Sequence, residues 1–101
     1  MKWLEIIELR TANRITGELK RSLNELISSA RQEHDPPIIS IFSSYSINGD
    51  YSVHLLHRQQ EPGAGGSVLG LRIADALRSF GMVNHQVWCG LVNGKTKKER
   101  I

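Results

Sequence analysis

Histidine is the residue type in this sequence best suited to proton transfer. His54, His57 and His85 all lie in segments with strand composition. Imidazole titrates near neutral pH, so a histidine in a pocket can act as a general acid, a general base or a metal ligand. His54 and His57 are three positions apart, and side chains alternate along a strand, so the two are predicted to point to opposite faces of a sheet. His85 can join either of them, depending on the register of its strand.

His54 is the candidate catalytic residue, because polar side chains are predicted to surround it on one sheet face. Ser43, Tyr45 and Ser52 share that predicted face and are candidate ligand-binding residues. Further candidates for the lining of a ligand pocket are Trp3, Trp88 and His85. The alternative for the histidine is a hydrogen-bonded sheet residue, for example a His54 to Ser43 pair. The alternative for the aromatic residues is an ordinary core or dimer contact.

The cysteine, the acidic residues and the glycine-rich run give little indication of a reactive or metal-binding site. Cys89 is the single cysteine, which excludes an intrachain disulfide and every paired-cysteine metal pattern. No metal site is predicted, because the acidic residues fall mostly on predicted exposed surfaces and a site needs at least three convergent ligands. The glycine-rich run Pro62–Gly66 lacks the Gly-Lys-Ser/Thr ending of a nucleotide-binding loop, so it is predicted to be a flexible lid or a plain connector.

The stretch 67–88 predicts a helix, a stop and a strand. Apolar residues recur at helical spacing from Leu69 to Phe80, with Ser67 as the N-cap and Gly81 as a left-handed terminator. The last strand is predicted over His85–Val92. A second amphipathic helix is predicted from Ile15 to about Gln32, after a strand at 2–10 that is partly apolar on both faces.

A hairpin is predicted in the middle of the chain. The strands 38–46 and 51–58 flank Asn48-Gly49, and Asn-Gly is a strong signal for a two-residue turn. Such a turn would fix the register of the hairpin. Three pairs would then face each other across it: Phe42 and Leu55, Ser43 and His54, Tyr45 and Ser52.

Charge and length indicate one ordinary domain. Of the 101 residues, 13 are Lys or Arg and 10 are Asp or Glu. The tail 95–101 holds four basic residues and one acid, a net charge of +3, so the domain at 1–94 has nine of each and is formally neutral. The tail is predicted to be disordered. A nucleic-acid partner is not expected without a basic stripe on the folded part. No signal peptide is expected, because Glu5 and Glu8 interrupt the apolar run, and no segment approaches the roughly 20 apolar residues of a membrane span. The single cysteine favours a reducing, cytoplasmic setting.

The order of elements is β-α-β-β-α-β, and it predicts an α+β ferredoxin-like fold: a four-stranded antiparallel sheet with two helices on one face. The other face keeps large apolar side chains, from either Trp3, Ile7 and Leu9 or Leu4 and Ile6. An open apolar face usually has a partner.

In these features the chain resembles the dimeric α+β barrel superfamily, which includes antibiotic-biosynthesis-monooxygenase-like and stress-responsive barrel proteins, and whose subunits have strand order 4-1-3-2. The resemblance implies a homodimer through the open sheet face and a pocket between sheet and helices. There a small apolar molecule would be bound, or oxidised without metal, flavin or other cofactor. The histidine on the helical side that haem-degrading members use has no counterpart in the predicted helices.

Two alternatives to an enzyme remain open. The first is a non-enzymatic module for ligand sensing or structural dimerisation, like the many small bacterial proteins of this shape that have no assigned activity. The second is nucleic-acid binding, because RNA-recognition modules share the same order of elements. Their third strand is rich in aromatic residues, whereas the corresponding segment here, Asp50–His57, has one aromatic residue at its edge. This alternative is therefore the least favoured.

Overall fold

The computed structural model describes residues 2–11, 17–58, 62–63 and 65–91. The predicted tail at 95–101 lies outside them. The elements are β1 (Trp3–Arg10), α1 (Gly17–Arg31), β2 (Ile38–Ser43), β3 (Asp50–His57), α2 (Val68–Leu77) and β4 (Met82–Cys89). The four strands form one antiparallel sheet in the order β2-β3-β1-β4. This is the predicted ferredoxin-like arrangement, and the predicted fold class is confirmed.

Strand β1 shows which sheet face the helices cover. Its odd-numbered residues from Trp3 to Leu9 are buried, whereas Leu4 and Ile6 are only half-buried. The core lies between that odd-numbered face and the apolar stripes of the helices. The stripe of α1 consists of Leu19, Leu23, Ile27 and Ala30, and that of α2 includes Ile73, Ala74 and Leu77. Leu4 and Ile6 therefore belong to the open face.

The predicted register of the hairpin is wrong. Ile41 pairs with Val53 and Ser43 with Tyr51, so β2 is shifted by three residues relative to the expected pairing. The connection spans residues 44–49, and Ser44 N donates to Asp50 O at 2.8 Å across its base. The observed register places Ile39 and Ile41 on the helix-covered side of the sheet, where a two-residue turn would have placed Phe42 and Ser44. Ile39 packs against the core there, and this packing outweighs the local preference for a tight turn.

Strand β4 begins and ends three residues earlier than predicted. It pairs with the whole of β1, from Met82 opposite Arg10 to Cys89 opposite Trp3. Gly81 is not left-handed as expected, since the described glycines with positive φ are Gly49, Gly65 and Gly66. A Cβ at Gly81 would instead collide with the Arg10 carbonyl oxygen, so this glycine allows the chain to pass close to β1.

Helix α2 has the predicted start and an earlier end. Ser67 is its N-cap, with an extended backbone (φ −84°, ψ 163°) and a hydroxyl that accepts from Gly70 N at 2.9 Å. The helix ends at Leu77, and the turn that follows includes a bond from Phe80 N to Leu77 O at 2.9 Å. Within the described ranges, no helix combines the length and apolar character that crossing a membrane requires.

Candidate functional site

A buried carboxylate, Glu5, lies at the centre of the candidate site. Oε1 accepts hydrogen bonds from His57 Nε2 at 2.6 Å and from Ser67 Oγ. Oε2 accepts from His85 Nε2 at 2.7 Å and from Ser67 N at 3.1 Å. An ionised carboxylate offers about four lone-pair sites, so these four donors saturate it. We refer to Glu5, His57, Ser67 and His85 as the Glu5 cluster.

The sheet register brings the two histidines to Glu5. Glu5 is opposite Leu55 on β3 and opposite Val87 on β4. His57 and His85 are therefore its diagonal neighbours on the two flanking strands, and diagonal side chains on one face are within reach of each other when they are long. Only a central strand has a partner on each side, so a single carboxylate can bind both imidazoles.

Ser67 connects Glu5 to helix α2. Its amide and its hydroxyl both donate to Glu5, while the hydroxyl also accepts from Gly70 N. The N-terminus of a helix stabilises a negative charge, so Glu5 is favourably placed there. The approach is close enough to exclude side chains, since a Cβ at Gly66 or at Gly70 would collide with Glu5 Oε2. Gly66 also has a φ of +107°, which favours glycine.

Trp3 fixes one face of the His57 ring. The indole and imidazole are stacked with ring centroids 3.9 Å apart and an interplanar angle of 15°. Both residues are buried. The indole Nε1 is a buried donor for which the described part of the chain provides no acceptor. His57 is therefore held by Glu5 at Nε2 and by Trp3 across its face.

A cavity of about 390 Å³ lies beside the cluster. Trp3, His57 and Ser67 border it from the sheet and from the start of α2. The linker between α1 and β2 borders it from another side, with Glu33, His34 and Asp35 followed by two prolines, and Arg58 and Val68 also contribute. The cavity thus lies between the sheet and the segments that lead into and out of the helices.

The predicted site residues separate into two locations. Trp3 and His85 lie on the helix-covered face, with Trp3 at the cavity and His85 in the Glu5 cluster. His54, Ser52 and Trp88 lie on the open face. There His54 Nε2 and Ser52 Oγ are hydrogen-bonded at 2.6 Å, and the His54 ring contacts Phe42 with centroids 4.8 Å apart.

The polar patch predicted around His54 is only partly assembled. The shifted register places Ser40 opposite His54, so the expected His54 to Ser43 pair is wrong. Ser43 is opposite Tyr51 on the other sheet face. Tyr45 lies fully exposed in the connection between β2 and β3, so it does not face Ser52 as predicted. The prediction that His54 and His57 point to opposite faces is confirmed.

Sequence reasoning missed Glu5 and the hydrogen bond that His57 makes to it. The available signal was the alternation of β1, in which Glu5 occupies a position of the same parity as Trp3, Ile7 and Leu9. A carboxylate on a core-facing position needs buried donors, and histidines on the adjacent strands can provide them. Ser67 was recognised as a helix cap but not as a donor to the sheet.

The contacts within the Glu5 cluster are hydrogen bonds. Its two N···O distances, 2.6 and 2.7 Å, are hydrogen-bond lengths. Two ligand atoms of one tetrahedral zinc ion would be roughly 3.4 Å apart, given bonds of about 2.1 Å. Among the described residues, no three His, Cys, Asp or Glu side chains are arranged to hold a metal ion.

The open face of the sheet carries a continuous apolar row. Paired positions on all four strands form it, in the order Ile38, Leu56, Leu4 and Trp88. Its two outer members are the most accessible, with Ile38 at 44% and Trp88 at 57% exposure. Ile6 and Phe42 extend the apolar surface in the next two rows. We refer to Ile38, Leu56, Leu4 and Trp88 as the apolar row.

Comparison with known proteins gives the chain no relatives. It matches no protein-family model, and neither the curated proteins nor the solved structures contain a significant match. The Glu5 cluster, the adjacent cavity and the apolar row are therefore the basis for assigning a function to this ferredoxin-like chain.

Proposed function

We propose that the chain binds a small molecule in the cavity beside the Glu5 cluster. The observation that supports this most directly is a cavity of about 390 Å³ bordered by His57, an imidazole held in place by buried Glu5 and stacked Trp3. Small-molecule sites are typically concave, about 300–1,000 Å³ in volume, and contain a few fixed polar groups. A preorganised polar group at such a cavity lowers the cost of binding a ligand.

The lining indicates the kind of ligand. Trp3, Pro36 and Val68 provide apolar surface, while His57 and Arg58 provide polar groups. A ligand with a flat apolar body and one polar end would match both. Oxidation of such a molecule, as the family resemblance implies, is the enzymatic form of this proposal, and a turnover assay would separate it from binding alone. The single cysteine is consistent with action in the reducing cytoplasm.

The two tryptophans provide an internal test of the binding site. Trp3 borders the cavity, whereas Trp88 lies on the open face. In a fragment screen followed by NMR, we expect bound fragments to shift the Trp3 indole N–H resonance and the resonances of His57, and to leave the Trp88 indole unchanged. Two results would contradict the proposed site. The first is fragments that shift only the Trp88 resonance, and the second is a screen in which no fragment binds below about millimolar concentration.

We also propose, as a second function, that the chain forms a homodimer through its open sheet face. The apolar row favours this, because it leaves large apolar side chains at least partly exposed on every strand of the sheet. An isologous interface would place the same row of each subunit against the partner, with Leu56 and Leu4 at its centre and Ile38 and Trp88 buried on either side of them. The dimer would leave the cavity accessible, since the cavity is on the helix-covered side.

A charge in the apolar row is expected to dissociate the dimer. Trp88→Glu would bury a carboxylate in the interface, so the dimer dissociation constant should rise at least about 100-fold. Leu71→Glu is the matched control, since Leu71 is 48% exposed on helix α2, away from the open face. Sedimentation velocity over a range of concentrations measures both variants. A monomeric wild-type protein, or equal effects of the two changes, would contradict this interface.

A further inference from the structure

Hydrogen bonding to Glu5 determines where the protons of His57 lie. In the carboxylate form, Glu5 can only accept, so His57 must donate from Nε2. A neutral imidazole carries one proton, so Nδ1 is then its basic nitrogen. A carboxylate that orients an imidazole in this way also stabilises the imidazolium that forms when Nδ1 takes up a proton. His57 therefore presents Nδ1 as its proton-accepting nitrogen.

We infer that His57 accepts a proton from an acidic hydroxyl group of a ligand bound in the cavity. This inference rests on the proposed binding function and adds a chemical class to it: planar phenols and enols. His57 borders the cavity and Trp3 adds an aromatic surface beside it, so a flat ring with an acidic hydroxyl satisfies both. Glu5 is a positioning residue in this scheme, because it acts through His57.

The transfer is a simple acid–base step. The O–H bond of the ligand breaks, the proton moves to His57 Nδ1, and the electron pair stays on the ligand oxygen. The product is an imidazolium beside the Glu5 carboxylate and a ligand anion in the cavity, with no change of oxidation state. The charge environment is mixed: Arg58 and His34 border the cavity along with Glu33 and Asp35, while His85 contacts Glu5 from the other side.

4-Nitrophenol provides the test, because its anion absorbs visible light and its neutral form does not. At a slightly acidic pH, where the free probe is mostly neutral, titration with protein should produce a saturable phenolate band. His57→Gln keeps a polar side chain without a base and should reduce this band at least tenfold. His54→Gln discriminates between the two histidines of β3 and should leave the band unchanged. Loss of the band in His54→Gln alone would overturn the inference.

The remaining outcomes separate this inference from the binding function. Binding of neutral probe, seen as a shift of the Trp3 resonance without a phenolate band, would overturn proton transfer and leave binding intact. Absence of binding by 4-nitrophenol and by 2-naphthol would overturn both. If His57→Gln does not fold, the wild-type protein still decides the question. The ¹⁵N resonance of His57 Nδ1 should move to the protonated position when the probe is added, and an unchanged resonance would contradict the inference.

Discussion

Glu5→Ala is expected to lower the free energy of unfolding by about 3–5 kcal/mol, because several buried donors lose their acceptor and each such loss costs roughly 1–3 kcal/mol. The change deletes the acceptor of four hydrogen bonds and leaves the buried His57 and the Ser67 amide without their partner. It also removes the hydrogen bonds that join Ser67, the N-cap of helix α2, to the central strand. Urea denaturation followed by circular dichroism measures the difference.

Two variants control for this result. Glu8→Ala removes a carboxylate from the exposed face of the same strand, where its partner is Asn84 at 3.2 Å, and should change stability by less than about 0.5 kcal/mol. Glu5→Gln keeps the shape but replaces one acceptor with a donor, so it should be destabilising by a smaller amount than alanine. A loss below about 1 kcal/mol for Glu5→Ala would show that the Glu5 cluster contributes little to the fold.

Gly70→Ala is expected to destabilise the protein by at least about 2 kcal/mol, although the same change inside an exposed helix stabilises it by about 1 kcal/mol. Gly70 lies in the first turn of α2 and is buried against the sheet. A Cβ at this position would collide with the Glu5 carboxylate, so either the helix or the carboxylate must move. Both movements break the hydrogen bonds between Ser67 and Glu5. Thermal unfolding measures the effect.

Gly17→Ala is the matched control in the other helix. Gly17 begins α1, and a Cβ there would meet nothing within 4 Å. It should be neutral or slightly stabilising, because alanine has the higher helix propensity. If Gly70→Ala were equally harmless, the close approach of α2 to Glu5 would not describe the protein in solution.

The order of the elements could be predicted because each has a strong local signal. The spacing of apolar residues predicted both helices, and Ser67 predicted the start of α2. The ends of strands were less predictable, since they depend on pairing. Strand β4 extends from Met82 because β1 is available to pair with it from Arg10 onward. The hairpin register likewise depends on packing: Ile39 and Ile41 join the core side, and the loop lengthens to allow it.

The candidate site was harder to predict because its members are far apart in the sequence. Glu5 and His85 are separated by 80 positions, and only the register of β1 with β4 brings them together. His54 appeared more promising than His57, because the incorrect register surrounded His54 with polar residues. The composition of β1 nevertheless contained a usable signal, a carboxylate among core-facing apolar residues, which indicates a buried polar network.

The central claim is that buried Glu5 holds the two histidines by their Nε2 atoms beside a ligand cavity. A long-range ¹H–¹⁵N NMR spectrum of the imidazole rings tests it in the unmodified protein, because the two ring nitrogens have distinct shifts when only one carries the proton. The structure predicts that His57 and His85 both carry a slowly exchanging proton on Nε2, and that exposed His34 shows averaged shifts. In the ligand-free protein, a neutral His57 ring with its proton on Nδ1, or averaged shifts for both cluster histidines, would contradict the account.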